Sequence, residues 1–372
     1  MKTAAGVWFA PGRANLMGEH TDYNGGFVLP FALAQGVTAA VSARDDGLLV
    51  LRSKQAAGDP VTAPVASLMP GAVTGWAAYA AGVAWALRAA GYPVSGATVE
   101  IDSDLPVGAG VSSSAALECS VALALCALSG VEVPRPALAA IAKRAENEFV
   151  GAPTGIIDQS AALLCTGGHA LLLDCATLRT VQVPFRPGPD GVCALVIDTR
   201  VAHALVSGEY AARRAECEQA ARLLGVAALG TVTDPRAANE LADPVLRRRA
   251  RHVVTDDLRV RQVTSLLRAS HGGDFRALSE VGALLTQSHA SLRDDFQVSW
   301  PEADVTVQVA VDAGALGARM TGGGFGGSAL ALVPEADVEP VQDQIRTAFA
   351  DRGWTEPEFL SAFPSGAAQR MI

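Results

Sequence analysis

The chain has 372 residues, half of them hydrophobic and 18% charged, with a net charge of -9. Such a composition can bury a large core and excludes a disordered chain, while an acidic balance argues against nucleic acid or an anionic membrane as a main partner. No uninterrupted apolar run of about 18 residues is present, and the six cysteines, without a Cys-x-x-Cys pair, read as buried free thiols of a cytoplasmic protein.

From the N-terminus, the apolar residues 7–10 imitate a signal peptide briefly before Pro11, Gly12 and Arg13 cut the run short. Residues 12–26 then place Arg13, Asn15, Glu19, His20, Thr21 and Asp22 among glycines, between that run and the apolar residues 27–33. Both flanks favour the interior and the middle needs polar partners, so the segment is either a polar site set into a core or a solvated loop. A ligand with many hydroxyls would suit the first reading. Strand-like runs follow at 36–43, 48–52, 97–101 and 170–173, with helical patterns at 76–90, 113–128 and 135–150. Arg44, Asp45, Asp46 and Gly47 predict a hairpin turn between two of the strands. A Pro and Gly cluster at 184–191 is the candidate linker, after which come a strand at 192–197, a helix at 208–224, and three more helical segments before a strand pair around 322–327. The pattern predicts an α+β protein with a cleft between domains, where small-molecule sites tend to lie. The basic run of Arg247, Arg248, Arg249 and Arg251 reads as a helix face.

Residues 105–116 contain Gly108, Ala109, Gly110, Val111, Ser112, Ser113 and Ser114, between a strand and an alanine-rich helix. Glycines let a backbone approach an anion, and the unpaired N–H groups of a helix start favour phosphate. The serines supply further oxygens for phosphate or magnesium, although a serine here can also be a plain N-cap. A Walker triplet is absent, and Ser113 stands where the dinucleotide fingerprint needs its third glycine, which leaves hydride chemistry as a weaker reading. The second glycine segment, 322–327, is either a wide turn or a backbone that approaches something closely. Asp158 lies among Ile156, Ile157 and the apolar residues 161–164; it either caps a helix or faces a cation, with Arg13 as the one to test. His169, His203, His252, His271 and His289 show no metal-ligand spacing and read as surface or packing residues.

With these segments in view, the chain resembles the galactokinase family, within the GHMP superfamily of small-molecule kinases. Residues 12–26 look like the galactokinase signature, 105–116 like the superfamily phosphate loop, and 322–327 like its third motif; 146–159, 208–218 and 288–304 are also similar. The resemblance implies a two-domain GHMP kinase fold, with an N-terminal domain over residues 1–188 containing a left-handed β-α-β unit like that of a ribosomal protein, and a ferredoxin-like C-terminal domain over 189–372. It implies ATP and Mg2+ as cofactors, galactose as substrate, and phosphorylation of the sugar's C1 hydroxyl, in a monomer. Asp158 would be the catalytic base and Arg13 the residue that stabilises the transition state. Glu19, His20, Thr21, Asp22, Gly155, Asp158 and Tyr210 would meet the sugar. Ser53, Trp76 and Gly108, Ala109, Gly110, Val111, Ser112, Ser113 and Ser114 would meet the nucleotide, with Ser114 and Glu146 as magnesium ligands.

Thr154 stands where several relatives carry Cys, and Met17 where Ile is usual; neither removes a hydroxyl-binding or metal-binding side chain. Two alternatives follow. A related sugar 1-kinase acting on N-acetylgalactosamine, arabinose or galacturonate would keep Asp158 and Arg13, with Glu19 disfavouring a uronate. A non-catalytic galactose sensor would lose catalytic or metal groups, yet Asp158 and Glu146 are present.

Overall fold

The computed structural model describes residues 5–106, 108–188, 191–202 and 208–371. The first part of the chain forms β1 (Ala5–Asn15), β2 (Phe27–Val28), β3 (Pro30–Arg44), β4 (Leu48–Ser53), β5 (Val61–Pro64), α1 (Ala77–Ala89), β6 (Gly96–Ser103), α2 (Ser113–Leu128), α3 (Arg135–Arg144), α4 (Ile157–Leu164), β7 (His169–Asp174) and β8 (Arg179–Pro184). The remainder forms β9 (Val192–Asp198), α5 (Glu209–Leu223), α6 (Pro244–Ala269), α7 (Phe275–Ser291), α8 (Pro301–Asp312), β10 (Gly317–Thr321), β11 (Ser328–Pro334), α9 (Val338–Ala350), β12 (Glu358–Ala362) and β13 (Gln369–Arg370).

These strands make three sheets, in the orders β13-β1-β3-β6-β4-β5, β10-β11-β9-β12 and β2-β7-β8. The turn at 44–47 does not close a hairpin: β6 lies between β3 and β4, antiparallel to the first and parallel to the second, with Ala97 opposite both Ala43 and Leu49. The local chemistry is that of a turn, since Asp46 binds Arg44 and accepts from the Leu48 N–H. Its flanking strands nevertheless part, because the buried Ala97, Val99 and Ile101 of β6 provide the apolar partner between them. The parallel β4–β6 pair, joined through α1, is a β-α-β unit.

Helix α2 packs against β1 and β3 on one side and α1, α3 and α4 on others. Its alanine-rich sequence suits burial on every side, because small side chains let neighbouring backbones approach. Its N-terminus carries the serine loop. The predicted helix over 135–150 divides instead: α3 stops at Arg144, and a wider π-type turn over Ala145–Val150 ends at Gly151 in a left-handed conformation with φ 87°. Such turns recur at functional sites because they re-aim one residue, here the buried Glu146.

In the four-stranded sheet, every residue of β9 is buried. Ala194 and Val196 point into the main core, whereas Cys193, Leu195 and Ile197 point to the cluster formed with α8 and α9, so the continuous apolar run is a strand covered on both faces. The chain end returns to the first sheet, where Gln369 and Arg370 pair with Phe9 and Trp8.

Helix α7 meets β10 backbone to backbone. A Cβ at Gly282 would lie 2.4 Å from the Leu316 carbonyl oxygen, and one at Gly317 would lie 1.9 Å from that of Gly282. Gly282→Ala therefore sets a helix-propensity gain of about 1 kcal/mol against an overpacking cost of roughly 1–3 kcal/mol. The clash with immobile backbone should win, giving a lower denaturant midpoint; an unchanged or higher midpoint would refute the close contact.

Candidate functional site

The serine loop is held by its carbonyls. Ser328 Oγ donates to Ala109 O at 2.7 Å, Arg13 Nη1 to Gly110 O at 2.5 Å, and the Arg13 backbone N–H to Val111 O at 3.1 Å. Peptide units are planar and trans, so an N–H points opposite to the carbonyl of its own unit. Three carbonyls held against the protein therefore turn the N–H groups of Gly110, Val111 and Ser112 away from it. Gly108, Gly110 and Ser112 have φ values of 81°, 70° and 61°, the left-handed conformations that curl successive amides into an anion-binding concavity. Ser112 occupies the N-cap position without a side-chain capping bond, which sets aside the plain-cap reading. Gly12 has no room for a side chain, because a Cβ there would lie 2.7 Å from Val111 O.

Arg13 also reaches Asp158. Its Nη2 lies 2.9 Å from Asp158 Oδ1, so the aspartate faces a cation from the first turn of α4 and does not cap it. Both line a cavity of about 360 Å³, together with Glu19, His20, Asp22, Gly155, Tyr210, Gly322 and Gly323. Apolar atoms of Tyr79, Val150, Pro153 and Ile157 complete the wall. A few convergent polar groups on a largely apolar lining is the usual form of a small-molecule site.

The polar segment is locked to the second glycine loop. Glu19 Oε1 accepts from the Gly322 N–H at 2.7 Å and from Thr321 Oγ at 3.2 Å. His20 has φ 62° and uses both ring nitrogens inside the protein. Nε2 lies 3.1 Å from Gly323 O, a pure acceptor, so it carries the proton, and Nδ1, 3.0 Å from the Tyr23 hydroxyl, accepts. Burial, reinforced by the nearby His252, pushes the imidazole down to about 3, so it is neutral. A Cβ on residue 155 would fall 1.5 Å from Asp22 Oδ2, which only glycine permits. The rings of Tyr210 and His20 are 5.5 Å apart, so α5 closes over the signature segment. The glycine loop is both a turn and a close approach: Thr199 Oγ donates to Gly327 O at 2.6 Å, and Trp300 Nε1 to that hydroxyl at 3.1 Å.

Glu146 lies behind the serine loop, against Ser114. It accepts from Ser114 Oγ at 2.9 Å, Thr154 Oγ at 2.7 Å and Gln159 Nε2 at 2.7 Å. Those donors are neutral, and burial with the nearby Asp158 raises its carboxyl above the ordinary value. Gln159 Nε2 also donates to Glu118, a fully buried acid that burial and Glu146 push well upward.

Several expected residues fall elsewhere. Thr21 does not line the cavity; fully buried, its hydroxyl lies 2.7 Å from Phe27 O and 3.0 Å from Gly18 O and closes the turn. Ser53 and Trp76, expected at a nucleotide and not in this cavity, lie outside it. Ser53 bonds Gln55, and Trp76 opens α1. His252 and His289 are buried packing residues, whereas His203 lies outside the described residues. Tyr23, Tyr79, Glu118, Gln159 and Arg319 were not expected. Two carried a signal, since Glu118 in an alanine-rich helix and Arg319 in an apolar strand are charges where the pattern calls for none.

Comparison with known proteins follows the same segments. Residues 1–43 match the galactokinase galactose-binding signature, 78–166 the GHMP kinases N terminal domain, and 266–351 the GHMP kinases C terminal domain. A galactokinase of Streptomyces coelicolor is 52% identical over 371 residues, covering 99% of this chain and 94% of the relative. One of Mycobacterium tuberculosis is 46% identical over 363 residues, covering 97% and 98%. The crystal structure of Lactococcus lactis galactokinase complexed with galactose superposes with a TM-score of 0.91 at 31% identity, covering 99% and 95%. Mevalonate kinase of Methanococcus jannaschii, at 15% identity and a TM-score of 0.66, shares the fold.

Asp22 links this site to stability. Burial raises its carboxyl to about 6, with Asp158 and Glu19 adding to the effect and the Tyr23 N–H opposing it. The folded state therefore holds the proton more tightly than the unfolded chain, and stability falls as pH rises from about 4 through about 6, staying low above that. Asp22→Asn should raise the melting temperature at about pH 7.5 and leave it nearly unchanged at about pH 4; equal shifts at both values would contradict a buried, proton-holding Asp22.

Proposed function

Because the chain belongs to the galactokinase family of GHMP kinases, we propose that it transfers the γ-phosphoryl group of ATP to the C1 hydroxyl of α-D-galactose, giving galactose 1-phosphate and ADP. The observation that carries this reading is the Arg13–Asp158 pair, set between an anion-binding loop and a cavity lined with hydroxyl-binding groups. The sugar occupies the cavity, where Glu19, Asp22 and Tyr210 meet its hydroxyls and Gly155 allows close approach. Three carboxylates in one small cavity favour a neutral polyol and repel a uronate. The domains divide near residue 188, and free cysteines without disulfides among the described residues suit a reducing, cytoplasmic setting.

In the reaction, Asp158 accepts the proton of the C1 hydroxyl as its oxygen bonds to the γ-phosphorus, and the bond to the bridging oxygen of ADP breaks. Phosphoryl transfer passes through a loose, negatively charged transition state, so positioning and neutralisation supply most of the rate. Arg13 holds Asp158 at the hydroxyl and places positive charge beside the transferring group. The amides of Gly110, Val111 and Ser112 receive the phosphates without reorganising, since their carbonyls are already fixed. The neutral His20 keeps Gly323 and Tyr23 against the sugar wall.

Ser114 and Glu146 fit a magnesium ion: both offer hard oxygen ligands, and the Glu146 carboxylate is bonded to neutral donors. Magnesium held there would neutralise charge on the β- and γ-phosphates.

Asp158→Asn should lower kcat by roughly 10²–10⁴-fold, the range for loss of a general base, and Arg13→Ala by about 10²–10³-fold or more. Melting temperature should show both variants folded; full turnover of either in a coupled ADP-release assay would refute these roles. Ser114→Ala and Glu146→Gln should raise the Mg2+ concentration for half-maximal activity by at least about tenfold, and an unshifted Mg2+ titration would remove them as ligands.

A further inference from the structure

Behind the sugar wall lies a charge that the reaction does not use. Arg319, in the middle of β10, is fully buried. Its Nη1 donates to Leu16 O at 3.2 Å and lies 4.0 Å from Glu19 Oε1, while Nε and Nη2 have no hydrogen-bond partner. A guanidinium left this way is costly unless a charge compensates it. Glu19 answers that requirement on one side. On the other stands Asp256, whose carboxyl is held below its ordinary value, against the push of burial, by His252, Arg319 and Arg259.

The turn that carries Glu19 is short of other charge partners. Among the described residues, Arg319 is the cation within ion-pair reach of its carboxylate. Oε1 is already turned backward by Gly322 and Thr321, and Arg319 stands on that same side. The Glu19 carbonyl is gripped from α6 by His252 Nε2 at 3.1 Å, and the Leu16 carbonyl by Arg319 itself. Backbone and carboxylate are thus pulled toward β10 and α6, while Glu19 still lines the cavity.

We infer that Arg319 is a positioning and specificity-determining residue: it anchors the turn at residues 16–19 and compensates Glu19 from behind, so that the Glu19 side chain is held in place at the sugar. This rests on the reading of Glu19 as a sugar contact. Arg319 does not touch the substrate, so its effect belongs in sugar binding and not in phosphoryl transfer.

The test is a double-mutant cycle over E19Q, R319M and the pair, with R319K as the conservative variant that retains charge and a donor. Galactose affinity is measured by calorimetry without nucleotide, alongside ATP affinity, kcat, the galactose KM and melting temperature. R319M should raise the galactose dissociation constant and KM roughly tenfold, within the range that coupled neighbours show, with kcat and ATP affinity within about threefold. R319K should recover most of that loss, and R319M added to E19Q should cost less than about twofold further. If R319M weakens galactose equally in both backgrounds, or lowers kcat and ATP affinity alongside, Arg319 is a core cation only and the inference falls. If R319M does not fold, R319K decides by the same measurements: a loss in the wild-type background that persists undiminished in E19Q overturns it. An E19Q variant with unchanged galactose affinity would remove the sugar role of Glu19 itself, and the inference with it.

Discussion

The Arg13 guanidinium is the interaction on which the site depends. One of its nitrogens holds the Gly110 carbonyl, which turns the amides of the serine loop outward, and another holds the Asp158 carboxylate at the cavity. The serine loop and the cavity, where the proposed reaction places phosphoryl donor and acceptor, are thereby referred to one rigid, planar group. A lysine ammonium would not reproduce this, because its donors lack the fixed fork that spans a carbonyl and a carboxylate at once. The register shift in β1 between Pro11 and Arg13 belongs to the same constraint, since it lets Gly12 and the Arg13 amide meet Val111 O.

A second constraint is that the cavity wall is shared between distant parts of the chain. Glu19 and His20 are fixed by Gly322, Gly323 and His252, while Ser328 holds the serine loop at Ala109. The glycines at 322–327 serve this sharing, because a loop pressed against two others has little room for side chains. Thr199 and Trp300 tie that loop back to its own sheet, which gives Trp300 a structural role.

The site concentrates acid. Glu19, Asp22, Asp158, Glu146 and Glu118 lie in or behind one cavity, and burial raises the carboxyls of Asp22, Glu146 and Glu118. This arrangement costs stability in the free protein, and the groups that offset it are few: Arg13 for Asp158, Arg319 behind Glu19, and neutral donors around Glu146. It suits a site whose ligands bring hydroxyl protons and a cation, since binding then satisfies oxygens that folding left under-compensated.

Much of this was legible in the residues themselves. Periodicity placed α2 at its observed limits and four strands, β4, β6, β7 and β9, within two residues, because apolar alternation and helical faces are local consequences of burial. The signature segment, the serine loop and Asp158 stood out as polar groups among apolar neighbours. Local chemistry could not decide which strand would enter between β3 and β4, because pairing partners are chosen by apolar residues tens of positions away. Nor could it show that Thr21 faces the backbone, that His20 has both ring nitrogens engaged, or that Arg319 stands behind Glu19. The sequence by itself determined which side chains demand partners, since a buried charge cannot go unanswered; only the tertiary structure decided which partner answers, because those contacts join residues about 300 positions apart and exist only once the sheets have packed.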